Sequence, residues 1–167
     1  KKHVKMNMML LEKVFHKNMD FIIGNSSAVC KQLTEEGVGK NKIKLIYNGV
    51  NLKKFKRKDS NKKYLQSKNT NKSDLVIICI ANLIPYKGHS DLIRGIKLVD
   101  NQILANWHLL LVGRDDGFSS YLKTLVREQN LDKKIEFLGE VETVPRLIGN
   151  SDIGILCSHQ EGFSNSI

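Results

Sequence analysis

Four apolar runs in the second half of the sequence constrain the fold more than any other feature. They read "DLVIICIANL", "WHLLLVG", "KIEFLG" and "DIGILC". Runs rich in Val, Ile and Leu are typical of strands that are buried on both faces of a parallel sheet. Between them lie "GHSDLIRGIKLVDNQI", "FSSYLKTLVREQN" and "VPRLIGN", which we interpret as helices. The alternation predicts an α/β fold, a Rossmann-like parallel sheet with helices on both faces.

Apolar residues at helical spacing support the first two helix predictions. In the first helix these residues are Leu92, Ile93, Ile96, Leu98 and Val99. In the second helix we expect Tyr121, Leu122, Leu125 and Val126 to face inward.

The first half of the sequence is less regular. Residues 4–18 have apolar positions at near-helical spacing, and "SSAVCKQLTEEGV" predicts a helix with a Ser N-cap and Gly37 at its C-cap. "DFIIGNS" and "KIKLIYNGV" predict two short strands, the second followed by a tight turn at Asn48-Gly49. Residues 51–73 are poor in apolar residues and rich in Lys, Asn and Ser, so we expect a basic connector between residues 1–50 and 74–167.

The net charge of +10 is unevenly distributed. Residues 1–72 contain 18 Lys and Arg against 5 Asp and Glu, whereas residues 73–167 contain 9 against 12. A basic segment suits nucleic acid, an anionic membrane surface or phosphorylated ligands. Because the lysines of residues 53–72 are mixed with Asn and few aromatic residues are present to stack on bases, we interpret this segment as a solvated connector rather than a nucleic-acid site.

No stretch of the sequence reads as a membrane span or a signal peptide, since no apolar run approaches the roughly 20 residues that a bilayer requires. We therefore expect a cytoplasmic protein. Cys30, Cys79 and Cys157 are far apart in sequence and form no C-x-x-C pair. That pattern favours buried free thiols over a metal or redox site.

The first strand end carries the clearest candidate residues, because ligands of a parallel α/β sheet bind beyond the carboxyl ends of its strands. Asn82 follows the first apolar run, and Lys87 and Gly88 stand just before a helix. A lysine beside a helix N-terminus neutralises a phosphate, while the helix dipole and free backbone N–H groups point at it. The alternative is a solvated lysine and a turn glycine, and a single Lys-Gly pair does not decide between them.

The other strand ends give weaker signals. Gly113 and Arg114 follow the second run and Leu138 ends the third, where a neighbouring glycine permits close approach of a ligand or simply makes a turn. After the fourth run, His159 is a loop residue or a donor to a substrate oxygen, and the Glu161 carboxylate can accept hydrogen bonds from hydroxyl groups. The residues that follow suggest a helix start with N–H groups open to an anion, and they are Gly162, Phe163, Ser164, Asn165 and Ser166.

Several familiar motifs are absent from the sequence. It contains no G-x-G-x-x-G, no G-x-x-x-x-G-K-[ST] and no H-E-x-x-H. Binding of a nicotinamide cofactor, P-loop hydrolysis and zinc proteolysis therefore have no supporting motif. The residues at the strand ends suit a diphosphate attached to a hydroxyl-rich group.

An ordered set of stretches resembles a known family. The stretches "IANLIPYKGHSDLI", "WHLLLVGRDD", "IEFLGEV" and "SDIGILCSHQEGFSNSI" resemble the donor-binding domain of retaining glycosyltransferases with the GT-B fold, family 4 in the usual grouping. "NSSAVCKQLTEEGV" and "KIKLIYNGVNLKKF" resemble the end of the family's acceptor-side domain and the crossing into the second domain. The resemblance implies transfer of a sugar from a nucleotide-diphosphate sugar to a hydroxyl acceptor with retention, in polysaccharide or lipopolysaccharide assembly.

The resemblance also implies roles for individual residues. Lys87 matches the family lysine that binds the donor diphosphate, and Glu161 matches the first glutamate of the E-x7-E motif, which faces the sugar hydroxyls. Leu138 through Val141 match the wall against the nucleobase. Many relatives have an arginine where this sequence has Asn82, so Lys87 would carry more of the charge, with help from Arg114. The backbone N–H groups that hold sugar and phosphate oxygens match Phe163, Ser164 and Asn165.

The resemblance further implies that the polypeptide is a fragment of a longer enzyme and inactive by itself. The second glutamate of E-x7-E would fall two positions past Ile167. The implied partners are a nucleotide-sugar donor, a hydroxyl acceptor such as a lipid-linked glycan, and anionic lipid at the cytosolic face of the membrane, with no nucleic acid. We expect no cofactor and no metal, because the sequence shows no metal-carboxylate cluster. The alternative from another class is a non-catalytic module of the same fold that binds a nucleotide or a partner.

Overall fold

The computed structural model describes residues 15–16, 18–55, 73–142 and 144–159. These residues form two compact units, one before Asn51 and one from Asn51 onward. Phe15, His16 and Asn18 are helical, and the rest of the first predicted helix lies outside the described residues. None of the helices within the described ranges has the length and apolar character needed to cross a membrane.

The first unit contains two parallel strands joined by a helix. β1 (Ile22–Gly24) pairs with β2 (Ile43–Leu45), and α1 (Ser27–Glu35) connects them. These elements confirm the predicted strand, helix and strand. A 3-10 turn at Lys40–Lys42 leads into β2.

A side-chain hydrogen bond caps the start of α1. The Ser26 hydroxyl accepts a hydrogen bond from the Val29 N–H at 3.1 Å, which caps the helix as predicted.

The prediction of a tight turn at Asn48-Gly49 is wrong, since residues 46–50 form no turn. The chain instead continues beyond β2, where the Ile46 N–H still donates to the Gly24 carbonyl at 3.0 Å.

The second unit is a parallel sheet with helices on both faces, as predicted. Its strands are β3 (Leu75–Ile80), β4 (Trp107–Val112), β5 (Ile135–Gly139) and β6 (Ile153–Ile155). All pairings are parallel and the strand order is β5-β4-β3-β6. The helices are α2 (His89–Val99), α3 (Ser119–Glu128) and α4 (Val144–Gly149), and 3-10 turns form at Leu52–Phe55, Pro85–Lys87 and Asp100–Gln102.

Two apolar layers cover the two faces of this sheet, because successive side chains of a strand point to opposite faces. One layer joins alternate residues of β3 and β4 to α2 and α3, through Ile77, Leu109, Ile93 and Leu122. The other layer joins the intervening residues to α4, through Ile78, Leu110 and Leu147. β4 is buried along its whole length, which confirms that the apolar run encodes a central strand.

The predicted inward face of α3 is partly wrong, and α2 buries only part of its apolar residues. Leu98 is 80% exposed and Val99 is 41% exposed, whereas Ile93 and Ile96 are buried. Tyr121 is 45% exposed, and its hydroxyl accepts a hydrogen bond from Arg94 at 2.9 Å. A helix lying on a sheet buries a stripe of about 100°, so apolar residues beside that stripe remain at the surface.

Candidate functional site

The Lys87 turn, defined here as residues Pro85–Gly88, follows the carboxyl end of β3 and leads directly into α2. Pro85 opens this 3-10 turn, a position where its missing N–H is not needed. Gly88 closes the turn with φ of +74°, and its N–H donates to the Pro85 carbonyl at 3.2 Å. No side chain within the described residues caps α2, so its N-terminus presents backbone N–H groups and the positive end of its dipole.

Gly88 lies in close contact with the chain that follows β6. A Cβ atom at this position would overlap the carbonyl oxygen of Cys157. Glycine is therefore required both by the left-handed backbone and by the space available. The group that lies against Gly88 is therefore another part of the protein backbone.

The β6 loop, defined here as residues 156–159, is bonded to the Lys87 turn. The Cys157 thiol donates to the carbonyl oxygen of Lys87, with a distance of 3.2 Å between sulfur and oxygen. The backbone N–H of His159 donates to the carbonyl of Tyr86 at 2.9 Å. Two strand ends that are far apart in sequence therefore form one connected surface.

The His159 side chain is bonded to the first turn of α2. Its Nε2 lies 2.6 Å from Oδ2 of Asp91, and because a carboxylate only accepts, the imidazole is the donor. The other oxygen of Asp91 lies 3.8 Å from a guanidinium nitrogen of Arg94. The sequence left open whether His159 is a loop residue or a donor to substrate, and in the structure its ring is engaged with Asp91.

Two basic residues, Lys87 and His89, lie in or directly after the Lys87 turn. The Lys87 ammonium lies 5.4 Å from the centroid of the Tyr86 ring. His89 is fully buried, and neither of its ring nitrogens has a hydrogen-bond partner within the described residues. Burial lowers the pKa of His89, the nearby Ala81 carbonyl opposes that effect, and the Lys87 ammonium adds to it. The neutral imidazole therefore leaves Lys87 as the positive group of this turn.

Asn82 and Arg114, both predicted at strand ends, meet at one carboxylate. The Asn82 amide donates to Oδ2 of Asp116 at 3.3 Å, and Nε of Arg114 donates to Oδ1 at 2.8 Å. The hydrogen bond between Arg114 and Asp116 raises the pKa of the guanidinium and lowers that of the carboxyl. The structure thus brings the two predicted residues together, with the charge of Arg114 balanced by Asp116.

Gly113 marks the point where three strand ends converge. A Cβ atom here would overlap the carbonyl oxygen of Ala81 and would lie 2.9 Å from the backbone nitrogen of Asn82. The Gly113 N–H also donates to the Gly139 carbonyl at 2.9 Å. The close approach that glycine permits at this position is again between segments of the protein.

Leu138 and Val141 lie on the β5 side of the sheet. Both are half-buried and pack against the apolar layer that contains Val112 and Leu147. They therefore form an apolar surface near the carboxyl end of β5.

The last group of predicted site residues lies outside the described residues, and its members are Glu161, Gly162, Phe163, Ser164, Asn165 and Ser166. The proposed roles of these residues stay predictions.

Sequence reasoning missed the residues that link the strand ends. No local sequence signal singled out Asp91 or Asp116, and Cys157 was interpreted only as a free thiol. Asp91 is an acidic residue in the first turn of a helix, a common stabilising arrangement that gives no hint of a partner 68 positions away. Such pairs follow from the strand order, which the sequence pattern did not predict.

The cysteines are free, but two of them are neighbours. Cys79 is buried and Cys157 is half-buried in the same apolar layer. The hydrogen bond between the two thiols, together with burial, raises the pKa of Cys79, and the same hydrogen bond lowers the pKa of Cys157. Within the described ranges, no three His, Cys, Asp or Glu side chains are grouped as a metal site would require.

Comparison with solved structures shows which known fold the chain shares. Anabaena Alr3699/HepE, solved in complex with UDP and glucose, has a TM-score of 0.74 and 22% identity, over 86% of this chain and 39% of that one. WaaG, a glycosyltransferase involved in lipopolysaccharide biosynthesis, has a TM-score of 0.72 and 13% identity, over 84% of this chain and 38% of that one. At these identities the likeness shows a shared fold, the α/β fold of GT-B glycosyltransferases.

Sequence comparison then gives the family. Residues 60–167 match the family described as Glycosyl transferases group 1, and the chain belongs to that family. The N-acetyl-alpha-D-glucosaminyl L-malate synthase of Bacillus anthracis is 28% identical over 131 residues, which are 78% of this chain and 33% of that protein. An uncharacterised glycosyltransferase of Methanocaldococcus jannaschii is 27% identical over 161 residues, 96% of this chain and 39% of its own length. The chain thus spans between a third and two fifths of these relatives.

Proposed function

We propose that the full-length protein is a retaining glycosyltransferase of family 4 that transfers a sugar from a nucleotide-diphosphate sugar to a hydroxyl acceptor. The observation that carries this proposal is the position of Lys87. Its turn lies at the carboxyl end of a central parallel strand and leads into the uncapped N-terminus of α2. A lysine ammonium and helix N–H groups in that place are suited to a diphosphate.

The same groups account for catalysis. When the bond between sugar and diphosphate breaks, negative charge grows on the leaving diphosphate. Lys87 and the first N–H groups of α2 stabilise that charge, because they are fixed in place before the reaction begins. The reaction then needs no metal, since the protein itself supplies the positive charge.

The remaining contacts follow from the family resemblance. Glu161 faces hydroxyl groups of the donor sugar, and the N–H groups after it hold sugar and phosphate oxygens, with Gly162, Phe163, Ser164, Asn165 and Ser166 forming that segment. Leu138 and Val141 offer an apolar surface to the nucleobase. Asn82 and Arg114 both donate hydrogen bonds to Asp116. In this proposal the three residues border the part of the site that holds the phosphates.

Similar proteins suggest the donor and the pathway to test first. HepE was solved with UDP and glucose, and another neighbour is a lipopolysaccharide outer core galactosyltransferase with a TM-score of 0.60. We therefore place UDP-sugars first among the donors and cell-surface polysaccharide or lipopolysaccharide among the products. A lipid-linked glycan acceptor would bring the enzyme to the cytosolic face of the membrane.

The test is a turnover assay on the full-length protein with a panel of UDP-, GDP- and ADP-sugars. Lys87→Ala should lower turnover by about 10²-fold or more, the usual loss when one stabilising contact to developing charge is removed. Lys87→Arg, which keeps the charge, should retain more activity than Lys87→Ala. Lys31→Ala serves as the control, because this lysine is 80% exposed on α1 and pairs only with Glu35 in the contacts observed.

Two results would contradict the proposal. Unchanged turnover in Lys87→Ala would remove this lysine from the reaction. Tight binding of a nucleotide sugar by the wild-type protein, without turnover for any acceptor tried, would favour the non-catalytic binding module.

A further inference from the structure

Two of the three cysteines are neighbours in space, close to the Lys87 turn. Cys79 is in β3, and in the parallel register it pairs with Ile155 of β6. Cys157 is two positions beyond Ile155, and all three side chains pack in the same apolar layer on one face of the sheet. The two thiols share a hydrogen bond, so their sulfur atoms are already in contact. The pairing of β3 with β6 therefore places two reduced thiols side by side.

The two cysteines differ in how firmly they are held and in how easily a reagent reaches them. Cys79 is fully buried in the sheet, between β4 and β6. Cys157 is half-buried in the β6 loop, beyond the last residue of β6 that pairs with β3. The hydrogen bond from Cys79 lowers the pKa of Cys157 and so favours its thiolate, the form that reacts. An oxidant in solution therefore reaches Cys157 first, and Cys79 only through Cys157.

Cys157 also supports the Lys87 turn. Its thiol donates to the Lys87 carbonyl at 3.2 Å, and its own carbonyl oxygen packs against Gly88. A disulfide bond is only about 2.05 Å long, so forming one draws the two sulfur atoms together. Because Cys79 is fixed within the sheet, Cys157 is the residue that moves. Its movement removes the hydrogen bond to Lys87 and shifts the carbonyl that packs against Gly88.

We propose that Cys79 and Cys157 form a reversible disulfide when the protein encounters a peroxide, and that this bond loosens the Lys87 turn. Formation of the disulfide does not depend on the proposed function. Its effect on a nucleotide-sugar donor rests on that function, because it acts through the turn that is proposed to hold the diphosphate.

The reaction has two steps. The Cys157 thiolate attacks one oxygen of hydrogen peroxide, the O–O bond breaks, and the products are a sulfenic acid and a hydroxide that takes up a proton to become water. The sulfur of Cys79 then attacks the sulfur of Cys157, the S–O bond breaks, and the departing hydroxide takes the Cys79 proton to leave as a second water. The two thiols lose two electrons, which the peroxide gains. A dithiol reductant returns them by thiol–disulfide exchange.

Peptide mapping of the full-length protein tests the disulfide directly. The protein is treated with hydrogen peroxide, unfolded and alkylated with N-ethylmaleimide, and its linked peptides are identified by mass spectrometry. We expect one link, between Cys79 and Cys157 of the same chain, which disappears after treatment with dithiothreitol. Cys30 should remain alkylated, although it is also partly exposed. Absence of the expected link, or a link that involves Cys30, would overturn the proposal.

Matched variants separate the tasks of the two cysteines. In Cys79→Ala, oxidation should stop at the sulfenic acid of Cys157, which dimedone labels. Cys157→Ser should form no disulfide, while its hydroxyl can still donate to the Lys87 carbonyl. Cys30→Ser should form the disulfide as readily as the wild type. Equal dimedone labelling of Cys157 in the wild type and in Cys79→Ala would mean that Cys79 does not react, and would contradict the proposal.

Hydrogen–deuterium exchange tests the effect on the Lys87 turn without relying on activity. The N–H groups of Lys87 and Gly88 donate to the carbonyls of Ile84 and Pro85, so their exchange rates report whether the turn is intact. Amides of residues 86–88 should exchange faster in the oxidised wild type than in the reduced form. Cys157→Ser should show no such increase after peroxide treatment. A disulfide with unchanged exchange at the turn would overturn the second half of the proposal.

Binding of UDP gives a further readout, which depends on the proposed function. Oxidation should weaken UDP binding about threefold to tenfold, as expected when about one hydrogen bond of support is lost, and dithiothreitol should restore it. Equal binding of UDP by both forms would overturn the link between the disulfide and the donor. If the disulfide and the faster exchange were observed but neither form bound UDP, GDP or ADP, the proposed function would fail while the redox device remained supported.

Discussion

At the scale of single residues, Asp100 shows how one carboxylate organises a junction remote from the site. The Trp107 indole N–H donates to Asp100 at 3.0 Å, and the Lys134 ammonium lies 2.5 Å from the same oxygen. Lys134 also lies 4.8 Å from the centroid of the Trp107 ring, and the Lys97 ammonium lies 3.7 Å from the second oxygen. The start of β4, the end of α2 and the residue before β5 therefore converge on one charge.

Asp100→Asn should destabilise the protein in a pH-dependent manner. The hydrogen bond from Lys134 is the main cause that lowers the pKa of Asp100, although burial opposes it. A carboxyl whose pKa is lowered by folding stabilises the folded state at all pH values above its unfolded pKa of about 3.9, and that contribution disappears as the pH falls through the folded pKa. We expect a loss of about 1–2 kcal/mol at pH 7, which shrinks below about pH 4.

Urea unfolding of wild type and variant between pH 3 and pH 7 measures this difference. Asn can still accept the indole N–H, so the loss reports mainly the charge. Asp132→Asn is the control, because Asp132 is exposed and its removal should have little effect at any pH. A penalty for Asp100→Asn that stays constant from pH 7 to pH 3 would contradict the assignment to an ionised carboxylate.

At the scale of secondary-structure elements, Gly88, which directly precedes α2, and Gly95, which lies inside it, allow a matched comparison. Gly88 has φ of +74° and is packed against the Cys157 carbonyl, whereas a Cβ at Gly95, in the middle of the helix, would meet nothing within 4 Å. Gly88→Ala should lower stability by about 2 kcal/mol or more, because the added methyl must displace the β6 loop and adopt a left-handed backbone. Gly95→Ala should raise stability by about 0.5–1 kcal/mol.

The shifts in urea midpoint of the two variants test the junction between α2 and the β6 loop. Turnover provides a second reading, since a displaced β6 loop should also lower activity in Gly88→Ala. If Gly88→Ala were as stable as Gly95→Ala, the close packing of Gly88 against Cys157 would not exist in solution.

Strands and helices of this fold were predictable from the sequence where the signal is local, such as a continuous apolar run or the start of a helix. The apolar runs of β3 and β4 are typical of strands buried on both faces of a parallel sheet, and the Lys-Gly pair before α2 was found because glycine and a helix start are local signals. Tyr121 was wrongly predicted to face inward, because apolar spacing does not say how wide a stripe of the helix the sheet covers. The bond between Asp91 and His159 was missed for a different reason, since it depends on β6 pairing next to β3, and strand order is not encoded in any local pattern.

At the scale of the whole molecule, the charge is divided along the chain. The net charge of +10 arises from the first 72 residues, and the part that forms the parallel sheet is slightly acidic. Under the proposed function, the net charge of this part of the chain would therefore not attract an anionic donor. The attraction would come from local groups, Lys87 and the start of α2.

This division predicts that the full-length protein binds nucleic acid only weakly. A segment of lysines mixed with Asn offers phosphate contacts but few aromatic side chains to stack on bases, so its affinity depends on counterion release alone. Such binding falls by about 10³–10⁵-fold between 50 and 200 mM salt when six to ten phosphates are contacted. We expect no saturable binding of duplex DNA or single-stranded RNA at about 0.15 M salt.

Fluorescence anisotropy across a salt series measures nucleic-acid binding, with a variant carrying Lys62→Gln, Lys63→Gln and Lys68→Gln as the control for charge. If the wild type bound RNA tightly at that ionic strength and the variant did not, the basic connector would be a nucleic-acid site, and the interpretation of residues 53–72 as a solvated connector would be wrong.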